Sequence, residues 1–266
     1  MDVKNILEEG ISRRGLLKGA GIFAGISTAT AGGLSLLTRA EASGGPTEKW
    51  PWPYVKLDPE KTAEIAYNEW YRIFCGGAVV GSIFSQLSEK VGEPYKSFPV
   101  DAFIFLEGGT SGWGTICGSN AGANMVTNII IGPRIAGSKD GMLMGSEVMQ
   151  WYCDASMPIY TPKNPKQTNE LPKTVSNSPL CHISVGKWMK ASGKALSSPE
   201  RKDRCARVSA SVAYHVVELL NQWKEGNYET KGDIPGLAYG INAQHNCNEC
   251  HSSAVPTPPQ VEKAKS

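Results

Sequence analysis

The sequence predicts a mainly α fold: a compact helical domain with long irregular loops. Three segments carry that reading. Asp58-Pro59-Glu60 opens a largely apolar stretch, Thr62 to Val91, with polar residues at helical spacing. Asp58 suits the N-cap, Pro59 the first turn, and Glu60 the positive end of the helix dipole. Arg201 to Gln222 sets Val208, Val212, Val216, Leu219 and Leu220 on one side of a second helix. Cys117 to Ile131 is a third, and its Gly118, Ala121, Gly122 and Ala123 leave room for a close neighbour. Small residues at this spacing also mark membrane-helix pairs, but Asn120, Asn124 and Asn128 argue against lipid contact.

Shorter helices are expected over Met142–Tyr152 and Val185–Ala195. Gly76-Gly77 and Gly81 fall inside the first long helix and imply a break or a close backbone approach. A short apolar run, Phe103 to Leu106, leads into the glycine-rich loop Glu107 to Gly114. Pro158 to Pro179 contains five prolines and reads as a long surface loop, and Glu225 to Tyr239 is rich in turn residues. With 27 basic and 25 acidic side chains, the chain has no strong field for nucleic acid or an acidic membrane surface.

The N-terminus reads as an export signal. Ser12-Arg13-Arg14-Gly15-Leu16-Leu17-Lys18 is a twin-arginine motif, Gly19 to Leu37 is apolar and rich in Gly and Ala, and Ala40-Glu41-Ala42 offers a cleavage site. The expected organisation is a signal over 1–42, an extended leader over 43–57, a helical cysteine-bearing domain over 58–225 and a C-terminal segment over 226–266. The expected location is the periplasm, with no membrane anchor left after cleavage. The twin-arginine route carries folded proteins, often with a metal cofactor already in place.

Cys247-Asn248-Glu249-Cys250-His251 matches the C-x-x-C-H signature of covalent haem c attachment. Two thiols add to the vinyl groups of one porphyrin, and the adjacent His251 faces the iron as axial ligand. A zinc site would need a second ligand pair at similar spacing, and the sequence has none. The fold class thus includes a C-terminal haem-binding segment. His245 lies too near Cys247 to cross easily to the far face of the same haem; it is a surface histidine or a ligand to another haem.

The chain has seven Cys and four His. One partition gives a second haem to Cys153 and Cys181 with His182, across an unusually long spacing, and uses His182, His215, His245 and His251 as axial ligands. Cys75, Cys117 and Cys205 then hold an iron–sulfur cluster, with [2Fe–2S] the candidate type and a fourth ligand of another kind. The competing partition keeps one haem and gives the cluster Cys75, Cys117, Cys181 and Cys205. The plainest alternative leaves these as buried thiols. His215, among Val212, Tyr214, Val216 and Leu219, is equally readable as a core residue.

Taken together, the leader, Cys75-Gly76-Gly77-Ala78-Val79-Val80-Gly81, Cys117-Gly118 before a small-residue helix, Cys181, Cys205 and the terminal Cys-x-x-Cys-His resemble the split-Soret cytochromes c. The central region is similar to a wider family defined by a C…GCAxxG…C…C pattern. Here the GCA reads Gly76-Gly77-Ala78, so one motif cysteine is missing, which favours the three-Cys partition. The resemblance implies a homodimer, two bis-histidine haems per subunit stacked in near contact, an iron–sulfur centre elsewhere, and an axial His supplied by the partner subunit, with His245 nominated for that role. It implies electron transfer with periplasmic redox partners and no catalytic residue. The rival reading is a small oxidoreductase with substrate chemistry at the cluster.

Overall fold

The computed structural model describes residues 49–231. The export signal, His245 and the Cys247–His251 motif lie outside the described residues. Five α-helices dominate: α1 (Pro59–Lys90), α2 (Gly118–Ile131), α3 (Asp140–Asp154), α4 (Cys181–Ser192) and α5 (Pro199–Lys224). Short 3-10 segments run over Tyr95–Ser97, Val100–Leu106 and Arg134–Ala136. Two-residue strands, β1 (Ser156–Met157) and β2 (Thr174–Val175), pair antiparallel with Ser156 opposite Val175 and Met157 opposite Thr174. Among the described residues no helix is long and apolar enough to cross a membrane.

The helix starts follow local chemistry. The Asp58 carboxylate accepts the N–H groups of Glu60 and Lys61 at 2.9 and 3.2 Å, and Ser198 Oγ caps α5 by accepting from Arg201 N at 3.2 Å. Pro59 and Pro199 occupy the first helical positions, where a missing N–H costs nothing. The two long helices α1 and α5 pack along each other. Val208, Val212, Val216, Leu219 and Leu220 are all buried in a core that also holds Ala63, Ala66, Val79, Ile83, Phe84 and Leu87 of α1.

The break in α1 falls at Phe74 (φ 56°, ψ −161°), just before the expected glycines. This backbone region is open almost only to glycine, yet Phe74 adopts it with its ring edge-on to Trp70, centroids 5.6 Å apart. The glycines serve the other expected need, close approach. A Cβ on Gly76 would lie 2.5 Å from the Leu106 side chain and 2.7 Å from Gly118 O. One on Gly118 would lie 1.9 Å from Leu106 O, and one on Gly122 would lie 2.7 Å from Gly76 O. The backbones of α1, α2 and the Val100–Leu106 segment therefore touch.

Two loop expectations change. The stretch from Trp50 to Leu57 is docked into the helical core. Trp52 N donates to Ile130 O at 2.8 Å, Trp50 Nε1 to Ile129 O at 3.0 Å, and Asn221 binds both Leu57 N and Leu57 O. Its aromatic groups explain this, since Trp52 sits against Tyr95, Phe84 and Phe98. The proline-rich segment is likewise anchored: Tyr160 and Leu171 are buried, and β2 pairs with β1. α4 begins at Cys181, four residues before the expected start.

This packing predicts opposite effects for two glycines. Gly118→Ala inserts a methyl into the Leu106 carbonyl and is expected to destabilise by about 1–3 kcal/mol. Gly186→Ala, in α4 with open space around its Cα, is expected to stabilise by about 0.5–1 kcal/mol. Thermal denaturation of the two variants beside the parent checks both signs.

Candidate iron centre and histidine sites

Four cysteines from four elements line one small cavity: Cys75, Cys117, Cys181 and Cys205, with Ser119, Tyr152, Val185, Arg204 and Val208. Cys75 follows the Phe74 kink, Cys117 sits at the N-cap of α2, Cys181 is the first residue of α4, and Cys205 lies in the second turn of α5. Cys75, Cys117 and Cys205 are buried, and Cys181 is partly exposed.

The backbone explains why Cys117 and Cys181 come together. Segments 114–117 and 179–182 run antiparallel, with a bridge between Ile116 and Leu180. Cys117 N donates to Pro179 O at 2.8 Å, Cys181 N to Thr115 O at 2.7 Å, and His182 N to Gly114 O at 3.1 Å. The glycine contact between α1 and α2 adds Cys75. A Cβ on Gly118 would lie 2.9 Å from the Cys75 Cβ, which shows how tightly the two cysteine-bearing turns fit.

The thiols sense one another. Burial pushes the Cys75 thiol well above its ordinary range, and Cys205, Cys117 and Cys181 push it further. Burial and then Cys117 and Cys205 push Cys181 up to about 12, against the pull of Arg204 and Arg201. Trp70 Nε1–H lies 3.3 Å from Cys75 Sγ. Without a cation the Cys75 and Cys181 thiols hold their protons; a bound cation removes them. Among the described residues no three His, Cys, Asp or Glu side chains meet at a point suited to one metal ion.

A cleft of about 560 Å³ lies outside the cavity, lined by Cys75, Cys181, Cys205, His182, Trp70 and Arg201 among others. His182 Nδ1 lies 2.8 Å from Gly114 O. A carbonyl only accepts, so in the neutral ring Nδ1 carries the proton and Nε2 the lone pair. His215 lines a different pocket, of about 530 Å³, with Trp151, Tyr160, Tyr214 and Glu218. It stacks on Trp151 at 4.1 Å and 20°, and its buried Nε2 has no hydrogen-bond partner. Burial, with Lys231 nearby, lowers its pKa to about 4. The Glu218 carboxylate, 3.7 Å from Nδ1 and 44% exposed, is too distant and too wet to offset that.

The structure thus joins Cys181 to Cys75, Cys117 and Cys205, the grouping of the competing partition. Cys153, at the end of α3 and 2% exposed, lines neither the thiol cavity nor the cleft; its carbonyl accepts from Asn177 N. The two described histidines line separate pockets and do not pair with each other. The cysteine missing at Gly77 does not thin the thiol set, because a Cβ there would point at Ile73, 3.0 Å away. Sequence reasoning missed Arg204 and Tyr152, although an Arg directly before Cys205 in an apolar helix was a readable signal.

A mainly helical protein with four clustered cysteines defines a redox-active class. Residues 75–219 match the family described as "Putative redox-active protein (C_GCAxxG_C_C)". The chain is 35% identical over 204 residues to the split-Soret cytochrome c of Desulfovibrio desulfuricans (strain ATCC 27774 / DSM 6949 / MB), covering 75% of this chain and 70% of that protein. It also matches the solved structure titled "A novel iron centre in the split-Soret cytochrome c from Desulfovibrio desulfuricans ATCC 27774", with a TM-score of 0.63 and 31% identity over 80% of this chain and 86% of that one. The chain belongs to the split-Soret cytochrome c family.

The His215 pKa gives a signed prediction for protein produced without haem. The folded ring takes its proton only below about pH 4, against 6.5 for the ordinary side chain. Between those values the unfolded chain binds the extra proton, so stability falls as pH drops from about 6.5 to about 4 and this contribution levels off below. The loss is on the order of 3 kcal/mol. His215→Gln is expected to lack that portion of the pH dependence in denaturant unfolding measured across the range.

Proposed function

We propose that this chain is a periplasmic electron carrier with covalent haem c at Cys247, Cys250 and His251 and a separate iron centre held by Cys75, Cys117, Cys181 and Cys205. The observation that carries the reading is the convergence of those four thiols on one small cavity. The residues fit such a group. The donors are all soft sulfur, which suits iron–sulfur chemistry, and a buried guanidinium stands beside them without a carboxylate. Thiols arranged around a cavity, instead of meeting at one point, favour a [2Fe–2S] cluster over a single ion. This grouping displaces the haem attachment through Cys153 and Cys181.

Bound haem c and a thiolate-held iron centre supply one-electron oxidation and reduction with little ligand rearrangement. The chain contributes the surroundings. The kinked α1 and the 114–117/179–182 pairing fix the thiols, and the packed helices keep most of them from water. The Trp70 N–H lies against Cys75. His182 and His215 each keep a free Nε2, His182 through the tautomer set by Gly114 O and His215 through burial that keeps the ring neutral. We assign both as axial-ligand candidates beside His245 and His251. One haem has two axial positions and His251 takes one, so one of His182, His215 and His245, from this chain or from the partner subunit of a homodimer, fills the other. Twin-arginine export suits a cluster loaded before export, and stacked haems across the dimer fit the family name.

One observation favours a second reading, an oxidoreductase acting at the iron centre. Cys75, Cys181 and Cys205 line the outer cleft as well as the inner cavity, so a small molecule in the cleft reaches the thiols. Carbon monoxide separates the two: the reduced electron carrier is expected to leave its spectrum unchanged, and clear binding supports the oxidoreductase.

Intact mass and iron analysis test the main assignment. One haem increment per denatured, reduced chain is expected, with iron in excess of haem. Serine at Cys75, Cys117, Cys181 or Cys205 is expected to abolish the excess iron, and Cys153→Ser to leave haem and iron unchanged. Two haem increments, with one lost in Cys153→Ser, return Cys181 to a porphyrin.

A further inference from the structure

Arg204 is 2% exposed, and no carboxylate pairs with it among the described ion pairs. Its Nη2 donates to Ser184 Oγ at 2.8 Å, Nη1 lies 3.8 Å from Cys205 Sγ, and Nε has no partner. Ser184 Oγ is held in turn by the Tyr152 hydroxyl at 2.7 Å, and Tyr152 stands beside Cys117. The guanidinium thus lines the thiol cavity, anchored at one end and open along its edge.

Arg207, one turn further along α5, is the internal contrast. It is also buried, but its Nε donates to Asp203 Oδ2 at 2.7 Å, and the same carboxylate takes Tyr71 at 2.9 Å and Tyr67. The fold therefore pairs a buried Arg with a carboxylate where the charge serves packing. At Arg204 no carboxylate is paired; its partners are the neutral Ser184 hydroxyl and the Cys205 sulfur. A buried charge without a counter-charge is costly, and arginine does not shed its proton to escape that cost. The remaining anion of the right sign and position is the set of thiolates.

We propose that Arg204 is the fixed counter-charge of the iron centre, a positioning residue that holds the centre's reduced form. This rests on the four-cysteine reading above. Four thiolates carry four negative charges. An iron core of smaller positive charge leaves a net anion, and gaining one electron makes it more negative by one. A buried guanidinium at van der Waals range of the sulfur would favour the more negative state and so raise the reduction potential. Ser184 and Tyr152 keep the side chain turned toward Cys205 and away from solvent.

The test is a potentiometric titration of the complete protein with dithionite and ferricyanide, following the cluster by electron paramagnetic resonance, for the parent, Arg204→Met and Arg204→Lys. Arg204→Met is expected to lower the midpoint so that, at the parent's midpoint, the reduced-to-oxidised ratio falls about tenfold, about 59 mV for one electron. Arg204→Lys is expected to retain most of the parent potential. A merely structural role would not separate Met from Lys in this way. After chelator removal of non-haem iron, Arg204→Met is expected to melt above the parent, because an uncompensated charge is gone, whereas the iron-loaded variant releases iron faster. Unchanged potential in Arg204→Met, or an equal fall in Met and Lys, overturns the proposal while leaving the cluster assignment standing. If Arg204→Met does not accumulate, a parent-like potential in Ser184→Ala, which frees the guanidinium, overturns it as well. A parent protein with no iron beyond its haem overturns the four-cysteine reading itself, and iron analysis tells that failure apart.

Discussion

The contact on which the rest depends is the backbone-to-backbone approach of α1, α2 and the Val100–Leu106 segment. Leu106 O occupies the space a side chain at Gly118 would need, and Gly76 O the space one at Gly122 would need. Any larger residue drives these elements apart. The same contact fixes where Cys75 and Cys117 stand, since each lies one residue from a contact glycine. The Ile116–Leu180 bridge then brings in Cys181, and the packing of α5 along α1 supplies Cys205. The four-thiol cavity follows from three backbone constraints, which explains how residues 130 positions apart in the chain reach one spot.

Much of the helical frame was legible in the sequence, because it rests on local chemistry. Asp58, Pro59 and Glu60 announce the start of α1, and the Val208 to Leu220 stripe announces the buried face of α5. Gly118 and Gly122 announced a close neighbour without naming it. What was not legible is non-local. The Phe74 kink carries no turn residue; of the break or close approach expected at the glycines beside it, only the close approach falls on them. The docking of residues 50–57 depends on Trp52 and Asn221, which lie far apart in the sequence. Counting histidines and cysteines left Cys181 open between Cys153 and the other three cysteines; the backbone bridge that brings it beside Cys117 is one that no periodicity reveals. The missing cysteine at position 77 was read as a lost ligand, but that position faces Ile73.

Charge and burial divide the described part of the molecule into two chemical regions. Around the thiols, an unpaired guanidinium and four sulfurs occupy a mostly apolar interior, where electrostatic effects are strong. Around His215, stacking on Trp151 and desolvation keep an imidazole neutral with one nitrogen free. His182 sits at the mouth of the cleft next to Cys181, so the partly exposed cysteine and a metal-ready imidazole are neighbours in the chain and at the surface. On the proposed assignment, a haem ligated by His182 would lie a short path from the thiol cavity.

The central claim is that iron other than haem iron lies among Cys75, Cys117, Cys181 and Cys205. Diffraction data collected from crystals of the complete protein on either side of the iron absorption edge test it directly. The account predicts an anomalous peak inside the cavity bounded by the four sulfurs, separate from every porphyrin. A cavity without such a peak, or Cys181 bonded to a porphyrin edge, would contradict it.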